Sequence, residues 1–346
     1  MEKQRLRVAL IGYGYWGTNL LRNLYSHPEI EVVGVVEKGE KQRQRCRTAY
    51  PHLPIETHVD EFLAKFHPEA VVIATEPSTH TEIALKALNA GAHILIEKPL
   101  ALSTADCDRI LALAKSRGLK IMLDHTFVYH PAVSCLAKLQ ADGELGKLLY
   151  YDSVRVNLGG FQQTNVLWDL APHDFSILDV LTGGELPEVA SCHGISHFDP
   201  KIENLCYIHL QYPNNFVAHI HLNWAAPVKV RQITISGSQK MVVYDDNIPV
   251  EKIKIYDRSV QFNAGENINR VNYRIGEMRA PVILLTEALS VMVDHFVKTV
   301  RHAAPCFSDG EAGKRIVRIL EACGESMAND GQPVALEPKK RRVTVA

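Results

Sequence analysis

Apolar positions along the chain fall into two textures, and the change between them comes near Tyr129. Before it, compact apolar runs alternate with stretches of helical spacing. "RVALIGYG", "EVVGVVEK", "EAVVIATEP", "HILIEKPL" and "KIMLDHTF" have the length and composition of buried strands. Between them, "YWGTNLLRNLYSH" sets Leu20, Leu21 and Leu24 on one side. "THTEIALKALNAG" closes at Gly91, and "STADCDRILALAKSRG" opens on Ser103 or Thr104 as its N-cap. Strands separated by helices of this length predict a doubly wound, parallel α/β sheet.

Beyond Tyr129 a helix begins at Pro131, and "LLYYDSVRVNLGG" reads as a strand. From about residue 188 to about 260 the segments alternate as extended strands. Pro213-Asn214-Asn215 turns two of them into a hairpin. Two helices follow, over "VILLTEALSVMVDHFVKTVR" and near 309–327. This second sheet is mostly antiparallel. At 346 residues the chain exceeds one ordinary core. The expectation is two domains, 1–126 around the parallel sheet and 127–346 around the second.

Chemistry enters at the first strand's end. Gly12-Tyr13-Gly14-Tyr15-Trp16-Gly17 matches G-x-G-x-x-G between a strand and a helix, the context of a dinucleotide-binding Rossmann turn. Gly12 permits the tight turn, Gly14 lets the backbone approach a pyrophosphate, and Gly17 lets helix pack on strand. The helix N-terminus then offers N–H groups and a positive dipole end. Glu37 ends the second strand, 20 residues beyond Gly17, where a carboxylate accepts both ribose hydroxyls. It disfavours the extra phosphate of NADP, although Lys38 and Arg43 lie beside it, so NAD is expected and NADP stays open. Thr75, Glu76, Pro77 and His80 follow a later strand at the same carboxyl edge and are candidate cofactor neighbours. The bland alternative for His80 is a water-exposed residue at a helix start.

Glu97-Lys98-Pro99 ends the "HILIEKPL" strand. A lysine fixed there can donate to a substrate oxygen and stabilise developing alkoxide charge. In Trp168-Asp169-Leu170-Ala171-Pro172-His173, Asp169 reads as an N-cap with Pro172 in the first helical turn. Asp169 and His173, four apart, share a helix face. Imidazole, with a pKa of about 6.5, suits proton transfer, and the carboxylate would orient it or bind a hydroxyl.

Together, "GYGYWG", "IATEPSTHTEIALKALNAGAHILIEKPL", "LDHTFVYHPAV", "WDLAPHD" and "DGEAGKRIVRILEACGES" resemble the glucose–fructose oxidoreductase/inositol dehydrogenase (Gfo/Idh/MocA) family over nearly the whole chain. The resemblance implies an N-terminal Rossmann domain that binds NAD(P). It also implies a C-terminal α/β domain whose open, mostly antiparallel sheet joins copies into a homodimer or homotetramer. It matches Lys98, Asp169 and His173 to the family's catalytic residues, and puts Gly12, Gly14, Tyr15, Trp16, Gly17, Glu37, Lys38, Glu97 and Lys98 near the cofactor. "SVRVNLGGFQQTNVLWDLAPHDFSIL" and "VVYDDNIPVEKIKIYDRSV" resemble a branch associated with nucleotide sugars. One departure is Asp124, where relatives often have glycine; a carboxylate there can tune His125.

The expected reaction is hydride transfer between NAD(P) and a ring hydroxyl or keto carbon of a sugar. Tyr129, Arg155, Asn165 and Trp168 are candidate substrate contacts, the aromatics by stacking and Arg155 by meeting a carboxylate or diphosphate. Competing readings are an inositol, polyol or free-sugar dehydrogenase, oxidation-assisted glycoside cleavage, and a ligand sensor without chemistry.

Composition narrows the partners. A formal net charge of -1 gives no field towards nucleic acid or an anionic membrane, and no apolar run reaches the length of a span. Seven cysteines without a Cys-x-x-Cys pair argue against a disulfide framework and a zinc ribbon. Cys192, His193 and His197, like His209, His219 and His221, read as strand-face residues, so no metal is expected. The basic run in "EPKKRRVTVA" reads as a solvated terminus, and the chain as cytoplasmic.

Overall fold

The computed structural model describes residues 5–160, 164–262, 271–284 and 286–336, and the basic run at 339–342 lies outside them. The chain forms two compact units. Of the described residues, the first holds those up to 130 and 286–317, and the second those from 131 to 284 and from 318 to 336.

Six parallel strands build the first unit: β1 (Leu6–Ile11), β2 (Ile30–Val36), β3 (Ile55–Glu56), β4 (Ala70–Ile73), β5 (His93–Glu97) and β6 (Ile121–Asp124). Their order is β3-β2-β1-β4-β5-β6. The helices between them are α1 (Tyr15–Ser26), α2 (Glu40–Ala49), α3 (Val59–Phe66), α4 (His80–Asn89) and α5 (Thr104–Arg117). Ser103 caps α5, its hydroxyl accepting the Asp106 N–H at 3.1 Å. Strand order reverses between β1 and β4, and in such sheets the carboxyl ends flanking the reversal form the ligand crevice. Gly12, Glu37, Thr75, Lys98 and His125 each follow a strand at that edge.

The second unit contains α6 (Pro131–Ala141), α7 (Val166–Thr182) and a nine-stranded sheet. The strands are β7 (Leu148–Leu158), β8 (Val189–Ile195), β9 (Leu205–Gln211), β10 (Val217–Asn223), β11 (Ala225–Gly237), β12 (Met241–Asp245), β13 (Ile253–Phe262), β14 (Val271–Arg279) and β15 (Val334–Ala335). They run in the order β14-β13-β12-β11-β7-β10-β9-β8-β15, antiparallel except where β7 meets β10. Period-2 alternation sorts the faces. Cys206, Ile208, Leu210, Ala218, Ile220 and Leu222 are buried, while Tyr207, His209, His219 and His221 lie on the other side.

Residues 286–317 depart from the expected division at 126/127. They carry α8 (Ala288–His302) and the first turns of α9 (Gly310–Ala328), and they return to the parallel sheet. Ser308 bonds both ways to Leu123 of β6, accepting its N–H at 2.7 Å and donating to its carbonyl at 2.8 Å. A Cβ on Gly313 would stand 2.8 Å from the Leu123 side chain, so the missing side chain lets α9 lie close on β6. Among the described residues no helix is long and apolar enough to cross a membrane.

Helix α7 starts four residues earlier than the spacing predicts. Asn165, rather than Asp169, is the N-cap, its Oδ1 accepting the Trp168 N–H at 3.2 Å while its Nδ2 donates to Glu203 at 2.9 Å. Pro172 therefore sits inside the helix and lacks the N–H that would bond the Trp168 carbonyl. What holds the helix is Asp174, wholly buried, which accepts from three side chains on one face of β7. These are the Tyr151 hydroxyl at 2.9 Å, the Ser153 hydroxyl at 2.6 Å and the Arg155 Nε at 2.7 Å.

Candidate active site

The glycine turn divides into two structural positions and one open one. Gly12 has φ +95°, and a Cβ there would meet the Ala74 carbonyl at 2.5 Å; one on Gly17 would meet the Gly12 carbonyl at 2.1 Å. Gly14 has ordinary dihedrals and no atom within 4 Å of where its Cβ would be. That open space lies at the N-terminus of the 12-residue α1, whose first turn carries no acid, and it suits a pyrophosphate. Tyr15 and Trp16 open the helix as an exposed edge-to-face pair, 5.6 Å between centroids. Gly14→Val should keep the fold and abolish NAD(H) binding. Fluorescence titration with an unchanged affinity would contradict the assignment.

Glu37 is tied to this turn. Its carboxylate accepts the Tyr13 N–H at 2.6 Å and the Gly39 N–H at 2.7 Å, and each oxygen keeps a lone pair for a ribose hydroxyl. Arg43 is folded back onto the Glu37 and Lys38 carbonyls and ion-pairs with Glu40, so it is already engaged. Lys38 is exposed.

After β4, Thr75 accepts the Thr79 hydroxyl at 2.7 Å, Glu76 is exposed, and Pro77 opens a 3₁₀ turn over Pro77–Thr79. His80 is wholly buried rather than water-exposed or free to meet a cofactor. Its Nδ1 is 2.8 Å from the Pro99 carbonyl and its Nε2 3.1 Å from that of Thr75. Burial lowers its pKa, with the nearby Lys98 adding to the effect, so the ring is a neutral strut between two loops of the carboxyl edge.

Lys98, half-buried, precedes a cis peptide bond to Pro99. Glu97, expected near the cofactor, is instead 8% exposed, and its Oε2 accepts the Lys98 N–H at 2.9 Å. His125 is 1% exposed, and neither ring nitrogen has a hydrogen-bond partner among the described residues. Burial, with Lys98 nearby, pushes its pKa down to about 3. A depressed folded pKa makes the unfolded chain the better proton binder below the ordinary histidine range. The stability His125 supplies is therefore full at neutral pH and lost as pH falls towards 3. Going from about pH 6.5 to about 4.5 should cost up to about 2.7 kcal/mol from this residue, with buried His80 adding in the same direction. Urea melts should show a shallower acid loss for His125→Gln; an identical slope would contradict it.

In the second unit, Asp169 and His173 lie one turn apart on α7, both half-buried. The Trp224 Nε1–H donates to Asp169 Oδ2 at 3.2 Å from a ring that is 1% exposed. Trp224 fixes this carboxylate, and the sequence reading missed it; its only signal was a tryptophan closing a strand. Trp168 is half-buried beside the pair.

Three expected substrate contacts have other partners. Arg155 is 4% exposed and paired with Asp174, which leaves its charge spent on anchoring α7. Tyr129 is 4% exposed, with its hydroxyl on Ser308 at 2.9 Å and His295 at 3.2 Å, and offers no open face for stacking. Asn165 is engaged as the cap. Arg155→Ala should therefore act on stability, costing about 3–5 kcal/mol by stranding a buried carboxylate. Equilibrium unfolding would read it, and an unchanged midpoint with weakened substrate binding would restore the contact role.

Two family descriptions match the chain: "Oxidoreductase family, NAD-binding Rossmann fold" over residues 6–125, and "GFO/IDH/MocA C-terminal domain" over residues 134–243. UDP-N-acetylglucosamine 3-dehydrogenase of Acidithiobacillus ferrooxidans is 26% identical, the match spanning 90% of this chain and 94% of that protein. A 2,7-anhydro-N-acetylneuraminate hydratase of Mediterraneibacter gnavus is also 26% identical, over 68% of this chain and 66% of that protein. An oxidoreductase structure from Magnetospirillum magnetotacticum MS-1 superposes with a TM-score of 0.78 at 29% identity, over 92% of this chain and 100% of that one. With the 3-2-1-4-5-6 sheet, the open glycine turn and both domain matches in place, the chain belongs to the Gfo/Idh/MocA family of oxidoreductases and binds NAD through its N-terminal Rossmann domain.

Proposed function

We propose that this protein is a sugar dehydrogenase or ketoreductase acting on a ring hydroxyl or keto carbon of a nucleotide sugar. The observation that carries the reading is the Asp169–His173 pair, one turn apart on a helix whose neighbouring residue, Asp174, is locked into β7. NAD, when bound, supplies the redox equivalent, and the protein's residues handle the proton and the charge. His173 takes or returns the hydroxyl proton, Asp169 holds the imidazole or a neighbouring hydroxyl, and Lys98 donates to the reacting oxygen. Trp168 offers a partly open ring to a sugar face. The nucleotide-sugar class is supported by the relative that is a UDP-N-acetylglucosamine 3-dehydrogenase.

A second reading is favoured by the hydratase relative: the same residues on a sugar derivative with no net oxidation. A turnover assay with NAD against UDP-sugars, free sugars and polyols decides between them. Accumulation of reduced cofactor with a UDP-sugar supports the first. Product without net reduced cofactor supports the second, and reduction only with polyols sinks both.

The outer face of β9 and β10 presents Tyr207, half exposed and stacked on His221, together with His209 and His219. An antiparallel sheet packed on one side leaves such a face for a partner, and we assign it to a second copy of this chain, as a homodimer or homotetramer. All seven cysteines are free thiols, which agrees with a cytoplasmic protein.

A further inference from the structure

Two adjacent strands of the first unit end on carboxyl groups. Glu97 is the last residue of β5 and Asp124 the last of β6, and the parallel register sets them opposite one another. They are 8% and 2% exposed. One Glu97 oxygen accepts the Lys98 N–H at 2.9 Å, and Asp124 Oδ1 accepts the Thr126 hydroxyl at 2.5 Å. Asp124 Oδ2 is buried with no permanent donor among the described residues. The carboxyl that faces Asp124 across the β5–β6 register is that of Glu97, and two ionised carboxylates have no hydrogen to share.

Among the described residues, the surroundings supply one positive charge for two carboxyls. Lys98 lies beside both. His125, next in the chain, is held neutral by burial. Tyr129, which also feels Asp124, is kept protonated by burial and bonds Ser308. From α9 the neighbours are apolar, with Gly313 against Leu123 and Leu100.

We propose that Glu97 and Asp124 hold one proton between them at neutral pH, and that Asp124 is thereby a positioning residue for Lys98. The second half rests on the reading of Lys98 as the donor to substrate. Glu97 carries the proton, since burial and the Asp124 charge raise it well above the usual carboxylate range; Asp124, raised less simply and relieved by Thr126, accepts. The protonated pair closes under the turn and leaves one negative charge facing the Lys98 ammonium. When the proton leaves to water at alkaline pH, two carboxylates repel across neighbouring strands and the turn that carries Lys98 shifts.

The shared proton is read by pH-difference infrared spectroscopy on the full chain with ¹³C-labelled Asp and Glu carboxyls. The wild type should show a neutral-carboxyl C=O band at pH 7 that disappears on alkaline titration. Asp124→Asn supplies an amide donor to the Glu97 carboxylate, and Asp124→Gly removes the repelling partner, so in both the band should titrate away at lower pH than in the wild type. In steady-state kinetics the alkaline limb of kcat should move up by about one pH unit or more in both variants, while KM for NAD changes less than about twofold. No such band in the wild type, or one whose titration is unmoved by both substitutions, overturns the shared proton. A limb that stays put in both overturns the positioning role. Near-wild-type turnover of Lys98→Ala removes Lys98 from the chemistry while leaving the infrared result to stand or fall by itself.

Discussion

His173→Ala should lower kcat by about 10²–10⁴-fold, the usual worth of a positioned acid/base, and leave the Kd for NAD unchanged. The loss is expected in kcat because the role proposed for the imidazole is to move a proton, while the dinucleotide is assigned to the glycine turn and Glu37 in the other unit. The fold should survive, because Asp174, not His173, anchors α7 to β7 through Tyr151, Ser153 and Arg155. The check is steady-state kinetics from acid to alkaline pH beside an NAD titration. Equal losses in kcat and in NAD affinity would mean that the substitution damaged the domain rather than the chemistry.

Lys98→Ala should cost about 2.7–4 kcal/mol in transition-state stabilisation, by analogy with loss of an oxyanion donor. The side chain leaves a turn braced on two sides, by the Lys98 N–H on Glu97 and by His80 bonded to the Pro99 carbonyl. Truncation therefore removes the ammonium without collapsing the turn. Its signature differs from that of His173→Ala: kcat should be lower at every pH, and the alkaline fall that the Glu97–Asp124 pair imposes through Lys98 should disappear with the side chain, whereas His173→Ala keeps it. Lys98→Arg keeps the charge on a longer, planar group and should recover only part of the rate. Full activity in Lys98→Ala would assign charge stabilisation to another residue.

The parallel sheet was legible because its signals are local. Uninterrupted apolar runs, a glycine turn and a capping Ser103 lie within a few residues of what they specify. The hairpin at Pro213 was legible for the same reason. Residues 286–317 group with the parallel sheet rather than the second one, and a helical pattern does not say which sheet it packs on; the Ser308–Leu123 bonds span 185 residues. Asp169 carries the right side chain for a cap, yet Asn165 caps instead and Asp169 lies half-buried a turn inside the helix. Arg155 looked like an anion binder because its partner, Asp174, is 19 residues away across a strand and a helix. His80 and Glu97 were recognised as belonging to the carboxyl edge, but their burial, which makes them braces for the loops, depends on packing that spacing does not encode.

The central claim is that the NAD-loaded protein oxidises or reduces a sugar ring carbon with Lys98, Asp169 and His173. Single-turnover mixing of the purified, NAD-loaded protein with UDP-N-acetylglucosamine and other UDP-sugars, followed by nicotinamide absorbance, tests it most directly. The account predicts one equivalent of reduced cofactor formed with at least one UDP-sugar, slowed by about 10²–10⁴-fold in His173→Ala. No reduction by any UDP-sugar, or equal rates in wild type and His173→Ala, would contradict it.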